Sequence, residues 1–207
     1  MKLFHYHHWL TELEEMETFY RELGFVVQLR LGRKKGGSWE SIDPTLSWEE
    51  IKEQKILFRI IEMRRGVLNV TFGFGKETKF DHIGFLVGTS EKEKICQKAS
   101  SFGWKIDDSR ETRTFLQLPN DFRVELQEDP SYVGEDPLPK LTELAITLPE
   151  IEQVEQMREL FSVPELEIEV GEEILLERVL LDDRDDYYLV DPTGVFIVGK
   201  SAGEFRI

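Results

Sequence analysis

The chain has 207 residues, of which 40% are hydrophobic and 32% charged, a composition typical of a folded globular protein and not of a disordered one. Its 41 acidic residues outnumber its 26 basic residues, so the formal net charge is −15. Residues 141–207 alone hold 17 Asp and Glu against 5 Lys and Arg. Because phosphate binding needs clustered Lys and Arg, this acidity argues against nucleic acid and against an anionic membrane as partners.

No apolar run approaches the roughly 18 residues that a membrane-spanning helix needs, and the first residues lack the pattern of a secretory signal. The single cysteine, Cys96, excludes an internal disulfide and suits a reducing compartment. We therefore expect a cytoplasmic protein.

The first predicted element is a strand at residues 4–10 (FHYHHWL), which contains three of the four histidines of the chain. Side chains alternate faces along a strand, so His5 and His7 share one face while Tyr6 and His8 share the other. We expect His8 to point toward the side that helices cover, in a structural role. His7 is either an acid–base group beside His5 or a polar residue that lines the same face.

Residues 11–25 are predicted to form an amphipathic helix that ends at Gly24, because apolar residues recur there at helical spacing. Extended runs follow at residues 25–31, 56–63 and 67–74. Between them lies a long predicted loop, either a lid or a mobile segment, that contains a short helix capped by Ser47.

The same order of strand, helix and further strands occurs twice more along the chain. The second unit has a strand at residues 80–87 with His82, a helix at 91–104, and strands at 113–119 and 122–127. The third unit has a strand at 143–148, a helix at 149–163, and strands at 166–170, 173–181, 186–190 and 195–199.

In the third unit, Pro149 is predicted to mark the start of the helix. Helical spacing places Ile151, Val154 and either Met157 or Phe161 on its inward side.

These repeats predict the domain organisation of the chain. Residues 1–78 and 79–130 are expected to pair as one domain, and residues 131–140 to form a proline-rich linker. Residues 141–207 are expected to form a third, acidic unit, which either pairs with the same unit of a second chain in a homodimer or packs as a cover.

Three motifs carry a resemblance to a known family. His5 is followed fourteen residues later by FYRELGF at residues 19–25, His82 is followed by SFGW at 101–104, and a glutamate lies in FRVELQ at 122–127. This pattern resembles the vicinal oxygen chelate superfamily, which includes glyoxalases, bleomycin-resistance proteins and extradiol dioxygenases. It implies an α+β fold in which tandem βαβββ units form a cupped mixed β-sheet with helices on the outside, with the third unit as a degenerate copy.

The resemblance also implies a divalent metal bound by His5, His82 and Glu125, with Asn69 near the fourth ligand position of the family. Two histidines and one carboxylate leave Fe, Mn, Zn, Ni and Co open as the metal. Glu125 shares its strand face with Arg123, as a residue on a wet inner face of the sheet can.

Glu143 and Val198 fall at the equivalent positions of the third unit, so the resemblance implies no metal site there.

Three functions remain open from the sequence. The first is a metal-dependent lyase, dioxygenase or transferase of this superfamily, acting on a small oxygen-rich substrate. The second is a metal-free protein that binds and sequesters a small molecule, as the bleomycin-resistance proteins do. The third is a structural or regulatory module whose acidic third unit docks a partner.

Overall fold

The computed structural model describes residues 1–201, in which fourteen strands, four α-helices and one 3₁₀ turn follow one another. The elements of the first unit are β1 (Lys2–Leu10), α1 (Glu14–Glu22), β2 (Val26–Arg33), β3 (Glu40–Ser41), α2 (Trp48–Glu53), β4 (Leu57–Arg65) and β5 (Leu68–Phe74). Those of the second unit are β6 (Lys79–Leu86), α3 (Thr89–Ser101), β7 (Lys105–Asp107), β8 (Arg113–Gln117) and β9 (Arg123–Gln127). After the 3₁₀ turn Pro130–Tyr132 come β10 (Lys140–Leu148), α4 (Ile151–Leu160), β11 (Leu166–Val170), β12 (Leu175–Asp183), β13 (Tyr187–Val190) and β14 (Phe196–Ser201).

The first two units share one sheet. Among the described residues this sheet has nine strands in the order β3-β2-β4-β5-β1-β6-β9-β8-β7. In each unit the first strand pairs in parallel with the last, β1 with β5 and β6 with β9. The antiparallel pair of β1 and β6 joins the two units at the centre of the sheet. The predicted α+β fold with a mixed sheet is thereby confirmed.

Two β-bulges interrupt this central pair. Each adds one residue to one strand, Phe4 in β1 and Asp81 in β6. An added residue resets the alternation of side chains, so Phe4 and His5 both line the inner face of the sheet although they are consecutive. The bulges therefore decide which side chains of the central strands reach the inner face.

The third segment forms a second sheet, with the order β11-β10-β12-β14-β13 in the described residues. Its central antiparallel pair, β10 and β12, has register shifts at the same two places as β1 and β6. The shared register puts Glu143 where the first sheet has His5 and Arg178 where it has His82. Val198 takes the place of Glu125. The predicted equivalence of Glu143 and Val198 to the first-sheet positions is confirmed.

The strand pairing of this segment differs from that of the first two units. Here β10 pairs in parallel with β11, the strand directly after α4, and β12 pairs in parallel with β14. The segment is thus two shortened units, β10-α4-β11 and β12-β13-β14, arranged around a central pair. The boundaries at residues 130 and 140, and a homodimer through this segment, stay predictions.

The two sheets share one continuous hydrophobic core. Phe85 of β6 stacks on Phe161, the residue after α4, with ring centroids 4.7 Å apart and planes 10° apart. Tyr20 of α1 donates a hydrogen bond to Asp191 in the turn before β14, at 3.1 Å. These contacts hold the second sheet against the helical side of the first, so the inner face of the first sheet stays open.

The helices follow the sequence signals, with one shift. Gly24 adopts a positive φ angle of 83° just after α1, where the end of that helix was predicted, and Gly103 adopts one of 78° just after α3. α4 begins at Ile151 and not at Pro149, because Glu150 is still extended. The prediction that Ile151 faces inward is wrong, since it is 64% exposed and the buried stripe starts at Gln153. None of the helices in residues 1–201 is long and apolar enough to cross a membrane.

An ion pair also joins the two sheets. Arg65 at the end of β4 donates two hydrogen bonds to the carboxylate of Asp183, at 2.5 and 3.0 Å, and Tyr187 donates a third at 2.7 Å. Burial raises the pKa of Asp183, but the hydrogen bonds from Tyr187, from the backbone N–H of Arg184 and from Arg65 outweigh it and hold this pKa below its usual 3.8. The pair therefore stabilises the folded protein whenever the carboxyl is ionised.

We expect Arg65→Gln to lower the free energy of unfolding by about 1–3 kcal/mol at pH 7, because the nearly buried Asp183 then loses a charged partner. A depressed carboxyl pKa stabilises the fold above the unfolded pKa, so the difference from wild type should shrink as the pH falls below about 4. Urea unfolding at pH 7 and pH 3 measures both effects. Arg184→Gln, at a side chain that is 72% exposed, is the control and should change stability by less than about 0.5 kcal/mol. An Arg65→Gln difference that stays constant between the two pH values would contradict this account.

Candidate metal centre

Three side chains predicted as ligands meet at the centre of the first sheet. One ligating atom from each of His5, His82 and Glu125 lies within 4.8 Å of the other two. The two Nε2 atoms are 3.2 Å apart, and Nε2 of His82 is 3.5 Å from Oε2 of Glu125. All three residues are buried.

The strand register explains this convergence. His5 lies opposite Gly84 in the antiparallel pair, and Gly84 lies beside Glu125 in the parallel pair of β6 with β9. His82, two residues before Gly84, projects from the same face of β6. A Cβ at position 84 would lie 2.9 Å from Cβ of His5 and 3.0 Å from its ring, so glycine makes room for that imidazole.

Hydrogen bonds at the far side of each ring fix which nitrogen faces the cluster. Nδ1 of His5 lies 3.1 Å from the carbonyl oxygen and 3.2 Å from the side-chain oxygen of Asn69, both acceptors. Nδ1 of His82 lies 2.7 Å from the carboxylate of Asp81. Each Nδ1 therefore carries a proton, and in the neutral rings each Nε2 presents a lone pair.

The three ligating atoms are thus two imidazole lone pairs and a carboxylate oxygen, and none of them donates a hydrogen bond to another. Three acceptors this close repel one another unless a cation lies among them, and nitrogen and carboxylate donors are the ligands of divalent transition metals. The outward Nδ1 bonds are the supporting contacts typical of metal-ligating histidines. The residues fit a divalent metal.

The electrostatics of the site favour the same protonation states. Burial lowers the pKa of His5 to about 4, although the negative charge of Glu125 opposes the change. For Glu125 burial raises the pKa, but the neighbouring His82, His5 and Arg113 side chains outweigh it and bring the pKa to about 2. At neutral pH the site therefore offers a neutral imidazole and an ionised carboxylate, as metal binding requires.

Asp81 is held beside His82 by the second bulge of the central pair. Its carboxylate accepts hydrogen bonds from His82 and from Arg123. Burial raises the pKa of Asp81, but these two partners hold it well below its usual range. Asp81 is therefore an anion that orients the His82 ring.

His7 lies on the same face, as predicted. Its ring stacks on that of His82, with centroids 4.8 Å apart and planes 8° apart, and its Nδ1 is 2.5 Å from the hydroxyl of Thr71. Its Nε2 is buried and has no hydrogen-bond partner among the described residues. His8 projects to the other side, where its ring packs on Phe80 at 5.1 Å. The predicted division of the histidines between the two faces is observed.

Asn69 lies opposite His5 in β5, near the fourth position implied by the resemblance. Its amide nitrogen donates to Glu62 at 2.8 Å and to the carbonyl oxygen of Tyr132 at 3.2 Å, which turns its oxygen toward His5. Asn69 supports the His5 ring in this geometry.

The cluster opens into a cavity of about 330 Å³ on the inner face of the sheet. Aromatic and aliphatic side chains form much of its wall, among them Phe4, Trp9, Leu29, Ile60, Phe115 and Tyr132. Four arginines also line it, at positions 59, 110, 113 and 123. Its volume is at the lower end of the range of small-molecule sites, so the site can admit a small ligand.

No family model and no curated protein sequence matches this chain. Among solved structures, it is similar to a 2,3-dioxygenase from Pseudomonas sp. KL28, with 14% identity, a TM-score of 0.61, and coverage of 100% of this chain and 93% of that chain. An extradiol ring-cleaving dioxygenase from B. fuscum gives 12% identity and a TM-score of 0.65, over 96% of this chain and 71% of that chain. A Mn(II)-bound glyoxalase from Novosphingobium aromaticivorans gives 11% and 0.63, over 97% and 81%.

The chain has the fold of these dioxygenases and of this glyoxalase. At these identities the likeness concerns the fold alone, so the chemistry of this protein follows from its own residues.

Some residues of the site were not predicted from the sequence. Asp81 precedes His82, so simple alternation places it on the opposite face, and no sequence signal marks the bulge that brings it back. Arg110 lies in the connection between β7 and β8, and β7 itself has too few apolar residues to be predicted. A carboxylate next to a ligand histidine is the signal that points to Asp81, once a bulge is allowed.

We expect Glu125→Gln to weaken Mn(II) binding by more than about 100-fold, because the change removes the one anionic ligand of the proposed site. The effect should exceed that of removing a residue that only hydrogen-bonds a ligand, which typically weakens binding by about 10–100-fold. Titration of Mn(II) followed by the electron paramagnetic resonance signal of the free ion measures this. Glu128→Gln, the same substitution three residues along at a carboxylate paired with Lys92, is the control and should bind as wild type does. Equal affinities of the two variants would contradict a metal site at Glu125.

We expect Asp81→Asn to weaken Mn(II) binding by about 10–100-fold, because the His82 ring loses its anionic partner. The same titration measures it, and His82→Gln should give the larger loss. An Asp81→Asn affinity equal to that of wild type would show that the contact does not support a ligand.

Proposed function

We propose that this protein is a metal-dependent enzyme that acts on a small substrate with two adjacent oxygens. The observation that carries the proposal is the cluster of His5, His82 and Glu125, in which three electron-pair donors converge at the base of an open cavity. Three protein ligands leave coordination positions for a substrate, which distinguishes catalytic from purely structural sites.

A divalent metal at this cluster would supply a Lewis acid for the two oxygens of the substrate. Asn69 and Asp81 keep the imidazoles in one tautomer and one orientation, so the ligand atoms are prearranged. The apolar wall at Trp9, Leu29 and Ile60 excludes water from one side of the bound substrate.

His7 is the proposed acid–base group. It lines the cavity next to the cluster, and its Nε2 is free of other partners among residues 1–201. Thr71 holds the ring through Nδ1, so Nε2 can take a proton from the substrate or return one.

The structural neighbours support this proposal at the level of reaction class. They are described as extradiol or 2,3-dioxygenases and as a Mn(II)-bound glyoxalase. Protein reconstituted with Fe(II) or Mn(II) should therefore turn over either a catechol, with uptake of O₂, or a thiohemiacetal, without it. If these compounds bound equally well with and without metal, and neither the catechol nor the thiohemiacetal were turned over, the result would instead favour a metal-free sequestering protein.

We expect His7→Asn to lower kcat by about 10²–10⁴-fold while Mn(II) affinity stays within about tenfold of wild type, because the change removes a proton carrier and no ligand. Steady-state turnover of the substrate that reacts, the catechol or the thiohemiacetal, measures kcat. The Mn(II) titration measures the metal affinity. His8→Asn, at the neighbouring histidine on the opposite face, is the control and should retain turnover. A His7→Asn enzyme with wild-type kcat would remove His7 from the mechanism.

A further inference from the structure

The arginines of the cavity indicate more about the substrate. We propose that the substrate carries an anionic group, such as a carboxylate, sulfonate or phosphate, in addition to the oxygens that face the metal ligands, and that Arg110 and Arg113 bind this group. The inference rests on the proposed function for the identity of the ligand as a substrate. The charge of the cavity supports it independently.

The cavity is positive in a strongly acidic protein. The chain has a net charge of −15, yet four arginines line the cavity against two carboxylates, Glu62 and Glu125. Counting Asp81 behind Arg123 still leaves an excess of one positive charge, and a bound divalent cation would add to it. Cavity walls of one charge sign concentrate ligands of the opposite sign.

The arginines differ in how well they are already neutralised. Arg123 is paired with Asp81, while Arg113 lies 3.8 Å from the carboxylate of Glu125, beyond hydrogen-bond distance. Arg110 and Arg59 have no ion pair and no side-chain hydrogen bond among the described residues. Their guanidinium groups lie over aromatic faces instead, 5.1 Å from the ring centroid of Phe115 for Arg110 and 5.2 Å from that of Trp39 for Arg59.

Three guanidinium groups gather around one ring. The carbon atoms of the guanidinium groups of Arg110, Arg113 and Arg123 lie 5.1, 5.8 and 4.9 Å from the centroid of Phe115. The same ring meets His82 edge-on at 5.2 Å. Like charges this close repel one another, and the attraction of an aromatic face offsets only part of the cost. An anion beside Phe115 would relieve the repulsion and would lie next to a metal ligand.

The position of these groups in the sheet fits recognition of a substrate held at the cluster. Arg113 begins β8, two strands from β6, and Arg110 precedes it in the connection from β7. Arg59 lies on β4, two strands from β1 on the other side. The metal ligands lie between these two arms, so a substrate bound there is within reach of cations from both units.

The test compares two probes that differ in one group, the anionic 3,4-dihydroxybenzoate and the neutral 3,4-dihydroxybenzamide. Their binding to the Mn(II)-loaded protein is measured by calorimetric titration. Wild type should bind the benzoate about tenfold more tightly than the benzamide, and the preference should fall as salt is raised. Arg110→Gln should reduce the preference to about twofold or less. Lys105→Gln, at an exposed cation of β7 that does not line the cavity, is the matched control and should keep it.

Equal binding of the two probes by wild type, or a full preference in Arg110→Gln, would overturn the proposal. The corresponding sulfonate and phosphonate probes show which anionic group the site prefers. Repeating the titration without metal separates the two proposals. A protein that binds no Mn(II) but keeps the Arg110-dependent preference would refute the metal-dependent function alone, and a protein that binds Mn(II) without the preference would refute the anion site alone.

Discussion

The antiparallel pairing of β1 with β6 is the constraint on which the site depends. It brings together the first strands of two units, and its register places the rings of His5 and His82 in contact across the junction. A shift of one residue would turn each alternating side chain to the other face and separate these two rings. The hydrophobic residues on the helical side oppose such a shift, because they would have to leave the core. Packing on the helical face of the sheet thus fixes the positions of the His5 and His82 rings on the inner face.

Much of this arrangement could be predicted, because it follows from periodicity. Strand alternation separated His5 and His7 from Tyr6 and His8, and the repeat gave His82, 77 residues later, a position equivalent to that of His5. That the two meet at one site with Glu125 was implied by the family resemblance. The details that could not be predicted depend on local breaks in periodicity. Neither the bulge at Asp81 nor the position of Arg110 in the connection between β7 and β8 shows as a regular pattern in the sequence. Each results from tertiary pairing and not from the residues beside it. Ile151 shows the same limit in a helix. Helical spacing places it on the inward side, but the first turn of α4 extends beyond the core and leaves its side chain exposed.

The second sheet has the same backbone pairing at its centre as the first sheet, but different side chains. Its central pair repeats the register and the bulges of the first, but Glu143 and Arg178 replace the two histidines, and Nε of Arg178 donates to Glu143 at 2.7 Å. Leu180 and Val198 occupy the positions of Gly84 and Glu125. A larger side chain therefore stands where glycine makes room for the ligand ring, and an apolar one stands where the carboxylate lies. The backbone frame is compatible with either outcome, and four side chains decide between them.

This replacement has a consequence for how the two sheets depend on their surroundings. In the second sheet the positive charge at the central strand pair is the guanidinium of Arg178, which is part of the folded chain. In the first sheet the equivalent side chains are electron-pair donors, so under the proposed function the positive charge comes from a metal ion in solution. The protein would then combine one central strand pair that contains its own cation with one that gains its cation by binding. Removal of the metal would then weaken the first sheet and leave the second unchanged.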